Sequence, residues 1–186
     1  MGYVLSFICL FGVLILAACA GYTPVFDRGT NLVVEGEMAT LSVSPLPRSL
    51  DEELKRLPRT VTTLVLDSEG GGPLPLAAAT VIHRRDMTTI VRRRCRGGCA
   101  LLFQAGTTRL LGRDAVLVYR LDRHGDINAY GLPDMDRNEA GDLIASMYYA
   151  YGLHPEIIRR AQSGPIELRG QQAVDLGAAT RWGGLE

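Results

Sequence analysis

The stretch RRRCRGGCALLFQAG, residues 92 to 106, decides how this chain is read. It passes from a basic strand end through a turn of small residues into an apolar helix start. Before it, VTTLVLDS (61–68) is short, β-branched and apolar, the composition of a strand buried on both faces of a parallel sheet. The EGGGP turn interrupts that run, and LPLAAATVIHRR (74–85) has helical composition. MTTIVRRR (87–94) reads as one further strand, CALLFQAGT (99–107) as a short helix, and AVLVYRL (115–121), reached through RLLG, as another strand. Strand, glycine turn, helix and strand in succession is the grammar of βαβ units around a parallel sheet.

The flanks follow the same logic. Residues 31–45 alternate apolar and polar side chains around a glycine, as a strand or hairpin does. A helix is expected from about Ser49, its N-cap, with Asp51, Glu52 and Glu53 in the first turn, where the helix dipole favours acids, and Pro58 closing it. After the loop at 124–134, a helix capped by Asp134 and ended by Gly152 carries Leu143, Ile144, Met147 and Tyr148 at helical spacing. His154, Pro155 and Glu156 open another helix ending near Ser163, and ELRGQQAVDLGAA (167–179) supplies a short strand and a last helix.

The order LDSEGGG (66–72), CRGGCALLFQAG (95–106), RLLGRDAVLVYR (109–120), with YGLHP, IEL and LG following, resembles the ClpP/crotonase-like superfamily, in particular small secreted bacterial relatives of its serine peptidases. The likeness spans roughly residues 60 to 180. It implies an α/β fold, a ClpP/crotonase-like spiral of βαβ units in a single domain (31–186). It also implies a site in which a serine at a helix start attacks a carbonyl, a histidine takes its proton, and amides of a Gly-Gly turn and of the residue after the serine hold the oxyanion.

Carried over position by position, the nucleophile falls on Gly97, which has no side chain, and the base on Tyr119, whose ordinary ionisation near pH ~10 makes it a poor base at neutral pH. Gly71 matches the oxyanion glycine, with Gly70 and Gly72 beside it, and Gly98 the residue after the nucleophile. The acid has three candidates, Asp126, Asp134 and Asp136. The expectation is a degenerate triad on a scaffold that binds an extended peptide or other ligand, with backbone donors facing a crevice between Gly70–Gly72 and Gly97–Gly98. The competing reading is a serine- or cysteine-type hydrolase with a different nucleophile, the candidates being Ser68, Cys95 and Cys99. Ser68 reads better as a structural hydroxyl bonded to local backbone.

At the N-terminus, MGYVLSFICLFGVLILAA (1–18) is uncharged and ends in small residues before Cys19, which reads as a lipoprotein signal peptide followed by a lipidated tether over 19–30. No Asp follows Cys19, so the expected location is the bacterial cell envelope, at the outer membrane and facing the periplasm. The competing readings there are an uncleaved anchor or an ordinary signal peptide cut near Ala20. In that oxidising compartment the pair Cys95 and Cys99 is expected to be bridged, ahead of two free thiols and well ahead of a metal site, since His83, His124 and His154 lack ligand spacing.

Twenty basic and twenty acidic residues balance to zero, which gives no support to nucleic-acid binding. Six arginines between Arg84 and Arg96 read as solvated strand and helix ends before they read as a patch for anionic headgroups or an acidic partner. Met147, Tyr148, Tyr149 and Tyr151 read as core or as a subunit contact. No cofactor is implied; the expected partners are the membrane through the lipid, a peptide or envelope protein, and other copies of the chain.

Overall fold

The computed structural model describes residues 31–70, 74–121 and 137–184. The signal segment and tether with Cys19, the glycines Gly71 and Gly72, and Asp126, Asp134 and Asp136 lie outside the described residues.

β1 (Leu32–Glu35) and β2 (Met38–Leu41) form an antiparallel hairpin, and β2 then pairs in parallel with β3 (Thr63–Leu66). The sheet continues in parallel through β4 (Thr88–Val91), β6 (Thr108–Leu111) and β9 (Arg181–Trp182), giving the order β1-β2-β3-β4-β6-β9. A second sheet has the order β5-β7-β8, with β5 (Arg94–Arg96) parallel to β7 (Val116–Tyr119) and β8 (Ile166–Arg169) antiparallel to it. The helices are α1 (Leu50–Arg56), α2 (Leu76–Arg84), α3 (Gly98–Ala105), α4 (Arg137–Ala150), α5 (Pro155–Ala161) and α6 (Gly170–Asp175).

Composition explains the layering. Leu64, Val65 and Leu66 of β3 are all buried, as a parallel strand covered on both faces requires. α3 is buried at every residue from Gly98 to Ala105, and its sequence GCALLFQA is correspondingly apolar all round. Leu101, Leu102 and Phe103 alone contribute roughly 1.5–3 kcal/mol each by leaving water. One contiguous core joins them to Leu41, Ile82, Leu117, Tyr148 and Leu168, so α3 is the post around which both sheets are assembled.

Four sequence expectations are corrected. Residues 87–94 form two strands in different sheets: the chain bends at Arg92–Arg93, and Arg94 and Arg96 then point outward on either side of buried Cys95. β6 and β9 were not anticipated, because a four-residue strand beginning Thr-Arg and a two-residue strand are too short to show a period. Ser49 stands at the N-cap of α1 but makes no cap bond; its hydroxyl donates instead to Glu53 Oε1 (3.2 Å). Glu53 also accepts from the backbone N and from Nδ2 of Asn31, both at 2.7 Å, and so clamps the first described residue onto α1.

The arginine cluster is largely structural. Arg85 donates from Nη1 to Leu54 O (2.7 Å) and Leu57 O (3.1 Å), and from Nη2 to Pro58 O (2.7 Å) and Val61 O (3.1 Å), which caps the end of α1. Arg93 pairs with Asp67 at 2.8 Å, and Arg94 pairs with Glu167 on β8. His154 caps α5, its Nδ1 accepting from Glu156 N at 3.2 Å, with Pro155 at the first helical position.

Candidate functional site

The site begins where β5 runs out. The β5–β7 ladder pairs Arg94 with Val116, Cys95 with Leu117 and Arg96 with Val118, so Gly97 follows at the level of Tyr119. There the chain reverses from strand to helix through Gly97, at φ 56° and ψ −120°. A residue with a β-carbon holds such a conformation only under constraint, and sharp strand-to-helix turns of this kind are where nucleophiles are presented. A Cβ placed on Gly97 would have no described atom within 4 Å. The turn thus has room for a side chain among the described residues, and carries none.

Gly98 opens α3. A Cβ there would come within 2.8 Å of Leu46 Cδ1 and 2.9 Å of Pro75 Cδ, so its smallness is set by packing. The first helical bond runs from Leu101 N to Gly97 O (3.1 Å), which leaves the amides of Gly98, Cys99 and Ala100 without a carbonyl inside the helix. These amides sit at the positive end of the α3 dipole.

The segment opposite is held by a different glycine. Gly70 (φ 87°) lies so close to β5 that a Cβ would stand 2.0 Å from Arg96 O, and Arg96 N donates to Glu69 O at 3.2 Å. The Gly70 amide donates to Ser68 Oγ (3.1 Å), and its carbonyl accepts from Ser44 Oγ (2.5 Å). Gly70 is therefore a close-approach residue whose amide is already engaged, and the expectation that it offers a donor to a ligand is corrected. Gly98 remains as a candidate donor among the described residues, with Gly71 outside them.

The alternative nucleophiles are occupied as well. Ser68 is buried, donates to Val43 O at 2.6 Å and accepts from Gly70 N, the structural role expected of its hydroxyl. Cys95 and Cys99 are joined in a disulfide with Cα atoms 5.3 Å apart, and both are fully buried. A bridged sulfur is not a thiolate and does not attack.

Tyr119 faces away from the turn. Its hydroxyl donates to Gln104 Oε1 (2.9 Å), near the far end of α3 and about 10 Å along the helix from Gly97. Its ring meets Tyr148 of α4 edge to face at 5.4 Å. Burial holds the phenol protonated well beyond its ordinary range, and nearby Arg109 only partly offsets this. Gln104 in turn donates from Nε2 to Tyr151 O (3.0 Å) and Gly177 O (3.4 Å). Arg109 donates to Gly106 O (2.9 Å), Ala178 O (3.2 Å), Gly177 O (3.2 Å) and Tyr151 O (3.3 Å).

Sequence reasoning missed Gln104 and Arg109, although a lone polar residue inside GCALLFQA is a signal that a buried partner must exist. Of the tyrosine-rich face, Tyr148 is core and Tyr149 is 65% exposed. His83 is exposed and packs its ring 4.9 Å from that of Tyr151.

The arrangement can offer amide donors to a carbonyl or carboxylate oxygen. Gly97 has no side chain and the Tyr119 hydroxyl is buried on Gln104, so neither of these two residues offers a nucleophile or a base at the turn.

No protein-family model matches the chain, and no curated protein does. Solved structures do. A point mutant of ClpP1 from Listeria monocytogenes superposes with a TM-score of 0.56 at 14% identity, covering 74% of this chain and 86% of that one. An enoyl-CoA hydratase from Mycobacterium smegmatis superposes with a TM-score of 0.56 at 13% identity, covering 83% of this chain and 70% of that one.

Proposed function

We propose that this chain, which has the ClpP/crotonase-like fold, uses it as a binding or scaffolding device and not as a hydrolase. The observation that carries this reading is Gly97: a turn of nucleophile-presenting geometry, with open space around the missing Cβ among the described residues. The burial of Tyr119 against Gln104 supports it, since a protonated phenol aimed into the core has no access to a reacting group. The ligand that suits the remaining donors is an extended peptide, whose carbonyl or terminal carboxylate meets the amides at the start of α3 and whose backbone can pair with a strand edge.

The location proposed is the bacterial envelope, with acylated Cys19 as the new N-terminus and the domain in the periplasm at the outer membrane. An oxidising compartment agrees with the bridged Cys95–Cys99 pair. Assembly with further copies of the chain belongs to the same reading.

The test is a broad fluorophosphonate probe applied to the purified protein. No labelling is expected. Labelling that disappears in Ser68→Ala or Cys99→Ala would replace the binding reading with that of an active hydrolase.

A further inference from the structure

We infer that the Cys95–Cys99 bridge is a redox lock on the Gly97–Gly98 turn, so that the start of α3 opens far more readily in the reduced protein than in the oxidised one. The inference concerns the turn itself and stands whether or not a peptide is its ligand.

Three observations meet here. The bridge spans the turn, joining the middle of β5 to the first turn of α3 with only Arg96, Gly97 and Gly98 between the cysteines. Gly98 is seated against Leu46 and Pro75, but Gly97 has no side chain and no described neighbour where one would stand, so no packing of its own fixes its path, and glycine gains the most backbone freedom when released. The remaining restraints are few: Arg96 N to Glu69 O at 3.2 Å, Leu101 N to Gly97 O at 3.1 Å, and the three-residue ladder of β5 with β7. On the side where a Gly97 Cβ would point, no described atom lies within 4 Å of that position, so a released turn can shift in that direction without meeting a described neighbour.

The opposite wall registers the same event. A Cβ on Gly70 would stand 3.3 Å from Cys99 Cβ and 2.0 Å from Arg96 O, which shows how closely the Glu69–Gly70 segment lies against the bridge and the strand end. When the turn relaxes, both sides of the proposed crevice lose their reference.

The reductant is a dithiol. One of its thiolates attacks a bridge sulfur to give a mixed disulfide, and its second thiol displaces the protein sulfur. Two electrons and two protons pass to Cys95 and Cys99, and the dithiol leaves as its cyclic disulfide. Both cysteines are fully buried, so attack follows a local opening of the turn and not a simple surface collision.

The experiment is peptide-resolved hydrogen exchange on the full chain, oxidised and after dithiothreitol, with Cys95 and Cys99 alkylation followed by mass spectrometry to report the redox state. The reporters are the amides of Arg96, bonded to Glu69 O just before the turn, and of Leu101, bonded back to Gly97 O just after it. Reduction is expected to accelerate their exchange about thirty-fold, the loop-closure effect of a five-residue ring, while the β4–β6 ladder is unchanged. Re-oxidation with oxidised glutathione restores the slow rates. The double variant C95A/C99A is expected to exchange like the reduced chain with or without dithiothreitol.

Unchanged exchange at Arg96 and Leu101 after verified reduction would overturn the lock, as would a double variant that exchanges like the oxidised chain. Equal acceleration at every amide would also overturn it, because the bridge would then be a general cross-link. Should the double variant fail to fold, the oxidised and reduced native chains still decide the matter.

Discussion

Three glycines around the junction of β5 and α3 make a graded stability test of whether position 97 has room for a side chain. Gly97→Ser places a Cβ at φ 56° with no described atom within 4 Å, so its only folded-state cost is backbone strain, roughly 1–2 kcal/mol. Lower entropy of the unfolded chain offsets about 0.4–1 kcal/mol of that, leaving a net loss near ~1 kcal/mol. Gly98→Ala has no positive φ to contend with, but it meets Leu46 Cδ1 at 2.8 Å and the Pro75 ring at 2.9 Å. Leu46 can turn aside and the proline ring gives less, so overpacking of about 2 kcal/mol is expected.

Gly70→Ala combines both penalties. Its φ is 87° and its Cβ falls 2.0 Å from Arg96 O, a distance that no side-chain motion relieves because the obstacle is backbone. The strand end must retreat, which breaks the Arg96 N–Glu69 O bond and disturbs Gly70 N–Ser68 Oγ, each worth about 1 kcal/mol, and the total approaches ~4 kcal/mol. Urea unfolding of the oxidised proteins, followed by circular dichroism, gives the three values directly. The expected order of loss is 97, then 98, then 70, with about 3 kcal/mol between the extremes. A Gly97→Ser loss equal to that of Gly70→Ala would refute the reasoning, because the turn would then be an ordinary crowded glycine turn and not one with room for a nucleophile.

Tyr119→Phe removes the hydroxyl that satisfies Gln104 Oε1 and is expected to cost about 1–3 kcal/mol at neutral pH. Burial raises the Tyr119 ionisation above its ordinary 10.0, so the folded state keeps a proton that the unfolded chain releases. Stability from this group is complete below pH 10 and falls by about 1.4 kcal/mol per pH unit above it. The gap between wild type and variant should therefore hold up to about pH 10 and narrow above it, and a constant gap to pH 11 would refute the burial argument. For the anchor, mass spectrometry of membrane-extracted protein should find an acylated N-terminal Cys19, and Cys19→Ser should abolish that mass; an unmodified Cys19 in the wild type sinks the proposed location.

The βαβ grammar was legible because each unit carries its own local signal. VTTLVLDS announces a strand covered on both faces, and GCALLFQA announces a helix with no solvated side. The split of 87–94 between two sheets was not legible, because MTTIVRRR has no turn residue at the bend. What divides it is partnership at a distance: Val91 pairs with Leu111, while Arg94 pairs with Val116. The site divides in the same way. The strand-to-helix junction at Gly97 and the strand carrying Tyr119 could be placed by order along the chain. That Gly70 spends its amide on Ser68, and that Tyr119 turns inward to Gln104, depend on contacts 2 and 15 residues away that spacing alone does not orient.

Under the proposed binding reading, Gly97 and Tyr119 are the residues that folding alone would choose at their positions. At φ 56° and ψ −120° glycine is the residue of least backbone strain, and any catalytic side chain there would hold strain in exchange for chemistry. Next to Gln104 and Tyr148, a tyrosine satisfies a buried amide oxygen and completes an edge-to-face ring pair. Both positions are therefore at a stability optimum where an active site would be at a compromise. The disulfide fits the same pattern. It braces a turn that glycine has made pliable, and so holds Gly97 at the junction of β5 and α3.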